Sequence, residues 1–481
     1  MRGFSIVLIL VAAHAARADT PATELSLPDV ITVAVRQSPD FERARLDLDA
    51  ARGNLERALG SEDIHVGIAG SYQRGPDVVV DTNDTLAVAS ADMSIGRALP
   101  TGGTVAVQAG AQRVDFTSVG MDSLSYTSSL TLAITQPLWR GAGPSAFEAP
   151  IRQAEHGRDA AKLAREAKAR DDVVAVVEAY WQVALAWRAL EVRKGSLELA
   201  QKQLAYTQGA IRADKLAKSE ELAVEEAIAI RQHDVLDAEQ QVLDRSLELR
   251  QLAGLEIGPN DLGVKTAELP QPTAIALDLA ATVATVLEHS AELAALDAGE
   301  RGAVAGVDAA DGLARSRLDL AAQGGPVGIG PTLSTSTHNA TATRDYEVSA
   351  SLTFDRAIQA RTEHGGQAIA HAQLMKAHVD TRAARARIAA SAARAVQRVR
   401  SALAAVALDQ KALELAEANV EAEQHKLELG KSSTLEVLRR QDDLQQVRLR
   451  HATTVVEYLS ARAELDGLTG AILGQFGIAM R

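Results

Sequence analysis

Three histidines, His364, His371 and His378, recur every seven residues, and imidazole is the side chain that most often ligates metals. On a helix that spacing puts them on one face but ~10.5 Å apart, too far to share one ion. Only a three-fold axis, gathering one from each of three chains, would make them a ring; a solvated or interhelical face is the simpler reading. Gly430-Lys431-Ser432 ends like a phosphate-binding loop, but that loop needs a glycine five residues earlier and His425 stands there. The chain has no cysteine, which removes thiol nucleophiles, thiolate metal sites and disulfides together. Neither His-Glu-x-x-His nor Gly-x-Ser-x-Gly occurs. Trp139, Tyr180, Trp181 and Trp187 could be read as a ligand box. Aromatics near a strand end more often anchor at a membrane interface, and those in a heptad run more often pack. The expectation is a protein that is no enzyme and needs no cofactor or metal.

Charge narrows the partners. The 481 residues carry 63 acidic and 50 basic side chains, a net charge of −13. An acidic balance argues against nucleic acid, whose phosphates need a basic face. At the N-terminus Arg2, the apolar run Phe4 to Ala13 and the small-residue close Ala16-Arg17-Ala18 read as a signal peptide over 1–18. The run is about half the ~20 residues that a spanning helix needs. No long apolar run follows it, so a membrane crossing would have to be a β-barrel.

The elements that must position any site are written twice. Leu27 to Ala44, with Ser38-Pro39-Asp40-Phe41, matches Leu279 to Leu296, with Ser290-Ala291-Glu292-Leu293, so each copy opens with a helix-like segment. A strand follows: Ile64, Val66, Ile68 and Tyr72 alternate with His65, Ala69 and Ser71, and Leu318 and Leu320 hold the matching places. The strand that closes each β-region is clearer. Leu124, Tyr126, Leu130, Leu132 and Ile134 alternate with Ser125, Thr127, Ser129 and Thr131; Tyr346, Val348, Ala350, Leu352 and Phe354 alternate with Glu347, Ser349, Ser351 and Thr353. Period-two patterning gives a sheet with one apolar and one polar face. The first copy has room for an extra hairpin turning near Pro100-Thr101-Gly102-Gly103.

Long helical stretches come next. Val176, Val183, Leu190, Leu197, Leu204 and Ile211 recur every seven residues, and a second seam runs Leu185, Val192, Leu199, Tyr206. The other copy repeats the second seam as Val406, Leu413, Val420, Leu427. Two adjoining heptad seams mean a helix with neighbours on both sides. Gly209 and Gly430 read as C-terminal caps with positive φ, each followed by a returning helix. An arm from Phe147 to Gly209 is roughly 90 Å long at 1.5 Å per residue, so it needs lateral partners, most simply sister subunits.

These readings divide the chain into a signal peptide at 1–18 and a first repeat at 19–253, with strands near 62–139 and a helical hairpin near 147–253. A linker at 254–275 follows, rich in Pro and Gly. The second repeat at 276–470 has strands near 316–355 and a hairpin near 360–468, and 471–481 form a tail.

Ile134-Thr135-Gln136-Pro137-Leu138-Trp139-Arg140-Gly141-Ala142-Gly143 resembles the strand-to-helix passage of TolC-like outer membrane efflux proteins. Gly430 to Gln441, with Glu436-Val437-Leu438, is similar to the family's periplasmic tip, and the duplicated plan resembles it over nearly the whole chain after residue 18. The resemblance implies an α+β membrane protein. Three subunits would give four strands each to a twelve-stranded outer-membrane β-barrel standing on a periplasmic α-helical barrel. It also implies a homotrimer in outer-membrane lipid that exports passively, docked to a periplasmic adaptor and an inner-membrane pump. Gln136, Pro137, Gly141 and Gly143 carry the passage signature; in the second copy Arg356-Ala357 stands where the first has Gln136-Pro137. Leu427 and Ser432 stand where the family has a tip tyrosine and arginine. Glu436 fits one position of the family's inner acidic ring, and Arg439 replaces the other. Glu436 and its counterpart Glu220 are thus the expected pore-entrance carboxylates, provided that Arg439 turns away to a neighbouring helix. A periplasmic coiled-coil adaptor or scaffold is the rival reading; it accounts for the heptads and leaves the alternating strands unexplained.

Overall fold

The computed structural model describes residues 24–76, 85–118, 121–214, 217–257, 263–343 and 345–478; the expected signal peptide lies outside them. Strand β1 (Glu24–Leu25) leads into helices α1 (Leu27–Gln37) and α2 (Pro39–Leu59). Ser26 caps α1 by accepting a bond from the Asp29 amide. Pro39 ends α1 and starts α2, because proline fits only the first helical turn. The second copy opens in the same way: Asp278 caps α5 (Leu279–Glu288), which follows the short β6 (Lys265–Thr266), and Ser290 caps α6 (Ala291–Leu313).

Four strands follow α2, namely β2 (Ile64–Pro76), β3 (Thr85–Ala98), β4 (Thr104–Ser118) and β5 (Met121–Pro137), and two follow α6, β7 (Arg317–Gly330) and β8 (Asp345–Asp355). They form one antiparallel sheet in the order β2-β3-β4-β5-β7-β8. This corrects the four strands per subunit that the resemblance implies: the sheet has six, because β3 and β4 pair as a further hairpin through the turn at Leu99–Gly103. A nine-residue helix, α7 (Leu333–Thr341), joins β7 to β8. It lies against β7 so closely that a Cβ on Gly328 would stand 2.1 Å from the Ser336 carbonyl oxygen.

At the opposite end of the sheet, α3 (Pro144–Arg212) and α4 (Ser219–Ala253) form one hairpin, and α8 (Arg361–Glu428) and α9 (Thr434–Thr469) the other, closed by α10 (Ala471–Gln475). At 69 residues α3 is ~100 Å long. By length and composition it contains a stretch apolar enough to cross a membrane, contrary to the sequence reading, but half of that stretch is buried. Val173, Val176, Tyr180 and Val183 in it belong to a core shared with α1, α4 and α10. The heptads explain which face that is. Val176, Val183 and Leu190 of one seam are buried, as are Val192 of the second seam and Val406 and Val420 of its repeat.

Two tyrosines tie the middle of the molecule together. The hydroxyl of Tyr180 donates to the Leu25 carbonyl at 2.9 Å and accepts from the Ala267 amide at 2.9 Å. That fixes β1 and β6, which pair in parallel. Tyr458 donates to the Thr273 carbonyl at 2.5 Å, and Trp187 donates to the Val264 carbonyl at 2.7 Å. The suspected aromatic ligand box is therefore packing, and the segment expected as a linker is held to both hairpins.

Candidate pore wall and periplasmic tip

Register decides what the sheet can do. Each antiparallel pair places side chains of one face side by side, so the ladder from β2 to β8 can be sorted into two faces. One carries Ile64, Val66 and Ile68, then Met93 and Ile95, then Val107, then Leu130, Leu132 and Ile134, then Leu318 and Leu320, then Val348, Leu352 and Phe354. Most are more than two-fifths exposed; Ile68 reaches 82% and Val348 79%. The other face carries Ser71, Ser90, Asp92, Gln108, Gln112, Thr127, Ser129, Gln323 and Ser349. A sheet that exposes a continuous apolar band on one side and polar groups on the other has the two-faced pattern of a transmembrane barrel wall.

Aromatic side chains bound the band. Tyr72, Tyr126 and Tyr346 stand at one margin; at the other Trp139 packs edge-on to Phe354, with ring centroids 6.1 Å apart. From Phe354 to Tyr346 the strand runs ~27 Å at ~3.4 Å per residue, which a tilt of ~40° reduces to a height near ~20 Å. That suits the hydrocarbon of an outer membrane. The helices leave from the Trp139 margin.

The passage from sheet to helix is braced by the signature residues. The Gln136 side-chain amide donates to the carbonyls of Thr101 and Pro137, and its oxygen accepts from the Thr101 hydroxyl at 2.8 Å. Gly141 and Gly143 have φ of +75° and +90°, which favours glycine. The Gly143 amide donates to the Thr101 carbonyl at 2.9 Å. The chain thus turns out of β5 against the β3–β4 turn. In the second copy Ala360, at φ +45°, makes the turn. Arg140 there donates to the Arg315 carbonyl and pairs with Glu363 at 2.9 Å.

The tip departs from expectation at two places, Gly209 and Arg439, and agrees with it at Gly430. Gly209 lies inside α3 and is no cap: its carbonyl accepts from the Ala213 amide, and Asp214 takes the left-handed conformation at φ +59°. A helix tolerates an interior glycine for ~1 kcal/mol, and Asp is one of the few other residues that enter that region. Gly430 is the left-handed turn residue, at φ +69°. Arg439 does not turn away. It lies 3.6 Å from Glu436, and Arg440 lies 3.1 Å from it, because i+3 and i+4 positions share its face. Glu436 is therefore balanced by two guanidinium groups of its own helix, its amide donating to Ser433. Glu220 sits in the first turn of α4.

Sequence reasoning missed two tip contacts. The Ser432 hydroxyl donates to Glu423 at 2.5 Å and Lys426 pairs with the same carboxylate at 3.0 Å. These two partners, Ser432 first, hold the Glu423 carboxyl below the usual carboxylate range. Arg231 of α4 pairs with Asp442 of α9 at 2.6 Å, joining the two hairpins. No periodicity announces either contact. Nearer the middle, a cleft of about 640 Å³ between the hairpins is lined by Glu178, Gln182, Glu248, Arg398 and Glu457. Burial first, then the neighbouring Glu464, raises the Glu178 carboxyl, and Arg398 opposes them.

The three histidines form no shared site. His378 meets Glu300 at 2.9 Å and His371 lies 3.8 Å from Asp311, so they face α6. Among the described residues no three metal-ligating side chains converge.

Residues 86–255 match the family model described as outer membrane efflux protein. No curated protein matches the sequence. Among solved structures, the CmeC outer membrane channel of Campylobacter jejuni superposes with a TM-score of 0.70 at 12% identity, over 92% of this chain and 85% of that one. The outer membrane protein VceC of Vibrio cholerae gives 0.69 at 15% identity, over 92% and 96%. The open state of the MtrE outer membrane channel of Neisseria gonorrhoeae gives 0.63 at 15% identity, over 92% and 88%. The fold is that of the TolC-like outer membrane channels. The match to the outer membrane efflux protein model covers residues 86–255, about a third of the chain, and the likeness of fold extends over 92% of it.

Proposed function

We propose that this chain, as a homotrimer, is the exit duct of a tripartite efflux or type I secretion system, conducting substrates passively from an inner-membrane pump through the periplasm and outer membrane. The observation that carries the reading is the two-faced sheet, apolar and exposed on one side, polar on the other, with two helical hairpins leaving from one margin. Unpartnered seams support the trimer. Leu408 and Leu415 on α8, and Leu222 and Leu236 on α4, remain more than half exposed, and stripes of that kind call for a helix alongside.

The sheet ends in open edges at β2 and β8, which lipid does not tolerate. Joining β8 of one subunit to β2 of the next closes both, and three sets of six strands make a barrel of ~18, the size that encloses an aqueous channel in porins. This replaces the twelve-stranded barrel. The hairpins would close the periplasmic tunnel, with their tips meeting the adaptor and pump. The energy would come from the pump, and the chain would do no chemistry. A soluble periplasmic adaptor is disfavoured by the exposed apolar band, which would aggregate in water.

The test is mass and conductance together. The expected result is a trimer in mild detergent that gives discrete steps in planar bilayers. A monodisperse monomer, or silence after insertion verified by protease protection, would overturn the reading.

A further inference from the structure

A trough opens on the apolar face of the sheet at the margin away from the helices. Ala87 and Ala89 of β3 make its floor, Tyr72 and Arg74 of β2 one wall, and Arg113 and Asp115 of β4 the other. It holds about 150 Å³. Register explains its shape. Tyr72, Ala89, Arg113 and Tyr126 form one row across four strands, and Arg74, Ala87, Asp115 and Leu124 the next. Two alanines between rows of long side chains leave a groove.

The height of this groove is set by a change in polarity. Below the row of Tyr72 the outward face of β2–β4 is aliphatic down to Arg97 at the opposite rim. At and above it come Arg74, Arg113, Asp115, Thr85 and Thr117, and the inward face takes Leu86, Val88, Val114 and Phe116 instead. That inversion marks where the outward face leaves hydrocarbon and meets headgroups. Arg113 is paired with Asp115 at 2.8 Å. Among the described residues that line the trough, Arg74 and Arg113 face the single carboxylate of Asp115, so this lining is net positive. A guanidinium at the edge of hydrocarbon favours an oxyanion, and its fork fits phosphate with two parallel hydrogen bonds.

We propose that the Arg74–Arg113 trough binds a phosphate of an outer-leaflet glycolipid, whose acyl chains descend along Ile68, Met93 and the apolar band beneath. Asp115 holds the Arg113 guanidinium in place, Arg74 supplies the unbalanced charge, and Tyr72 covers the junction of phosphate and chain. The site rests on the outer-membrane reading above, since only that orientation sets the trough in the outer leaflet.

The test is native mass spectrometry of the purified trimer with added diphosphorylated lipid A, a zwitterionic phospholipid and inorganic phosphate. For Arg74→Ala combined with Arg113→Ala, we expect lipid A affinity to fall ~10-fold, with the zwitterionic lipid unchanged; Arg74→Lys should retain more affinity than Arg74→Ala. Lipid A binding equal in wild type and the double variant overturns the proposal, as does full displacement by an equal concentration of inorganic phosphate. Orientation is checked separately with Ala87→Cys, a single thiol in a chain that has none. Labelling of intact cells by an impermeant maleimide is expected. Labelling confined to opened cells would overturn the orientation, whereas surface labelling with unchanged lipid affinity would overturn the lipid site alone.

Discussion

Arg231 of the first hairpin reaches Asp442 of the second at 2.6 Å, while its Nε donates to Ser196 at 3.0 Å. Arg231 is 5% exposed, yet its other terminal nitrogen is buried without a partner. Removing Asp442 would leave a buried cation with one neutral contact. Asp442→Asn is expected to destabilise the hairpin pair by about 1–3 kcal/mol, read as a lower midpoint in thermal unfolding of the detergent-solubilised protein. Wild-type stability would show that the contact does not hold the hairpins together.

Acid should loosen the tip. Ser432 and Lys426 hold the Glu423 carboxyl below its ordinary range. A depressed carboxyl contributes stability that is present above its unfolded value, about 4.3, and is lost as pH falls through the lower folded value. Ser432→Ala removes the largest contributor, so the loss should begin at higher pH. Hydrogen exchange around residues 420–436, followed between about pH 3 and 5, reports it; identical acid profiles for the two proteins would rule the mechanism out.

At the proposed pore entrance the two candidate carboxylates should behave differently. Glu436 faces Arg439 and Arg440 on its own helix, whereas among the described residues Glu220 has no ion-pair partner. A ring of uncompensated charge attracts counter-ions, the more so at low salt. Glu220→Gln is therefore expected to reduce cation preference more than Glu436→Gln, as a larger shift of reversal potential across a salt gradient. Equal shifts, or none with the trimer intact, would remove Glu220 from the pore's field.

The elbow between sheet and helix has no room at Gly102. A Cβ there would stand 2.1 Å from the Gly141 carbonyl oxygen, at a φ of +83°. Gly102→Ala should cost at least ~1–3 kcal/mol and lower the yield of heat-modifiable trimer. Gly53 is helical, with open space around its Cβ position, so Gly53→Ala should leave the yield unchanged or raise it. A Gly102→Ala trimer formed in normal amount would show that the two turns separate without loss.

Much of this architecture can be read in the chain. Alternation at Leu124–Ile134 and Tyr346–Phe354 specifies both strands and the face that each exposes, since side chains on a strand have a period of two. The heptads of Val176–Leu190 and Val406–Val420 specify buried seams in the same way. The pair β3–β4 was hinted at only by its turn, because small residues at Ala87, Ala89, Ala109 and Ala111 blur the alternation. Helix α7 gave no signal: a run of Ser and Thr forms there because Gly328 and Gly330 let its backbone lie on the sheet.

What sequence alone determined is therefore whatever repeats along the chain: strand faces, helix seams and the duplicated plan. Tertiary structure decided what depends on single contacts between distant residues. It set the links from Arg231 to Asp442 and from Ser432 to Glu423, whereas the approach of Arg439 and Arg440 to Glu436 follows from helix spacing alone. Periodicity is written by many residues acting together, so it survives one exception. A contact between two side chains has no period, and its partners meet only once the hairpins have folded.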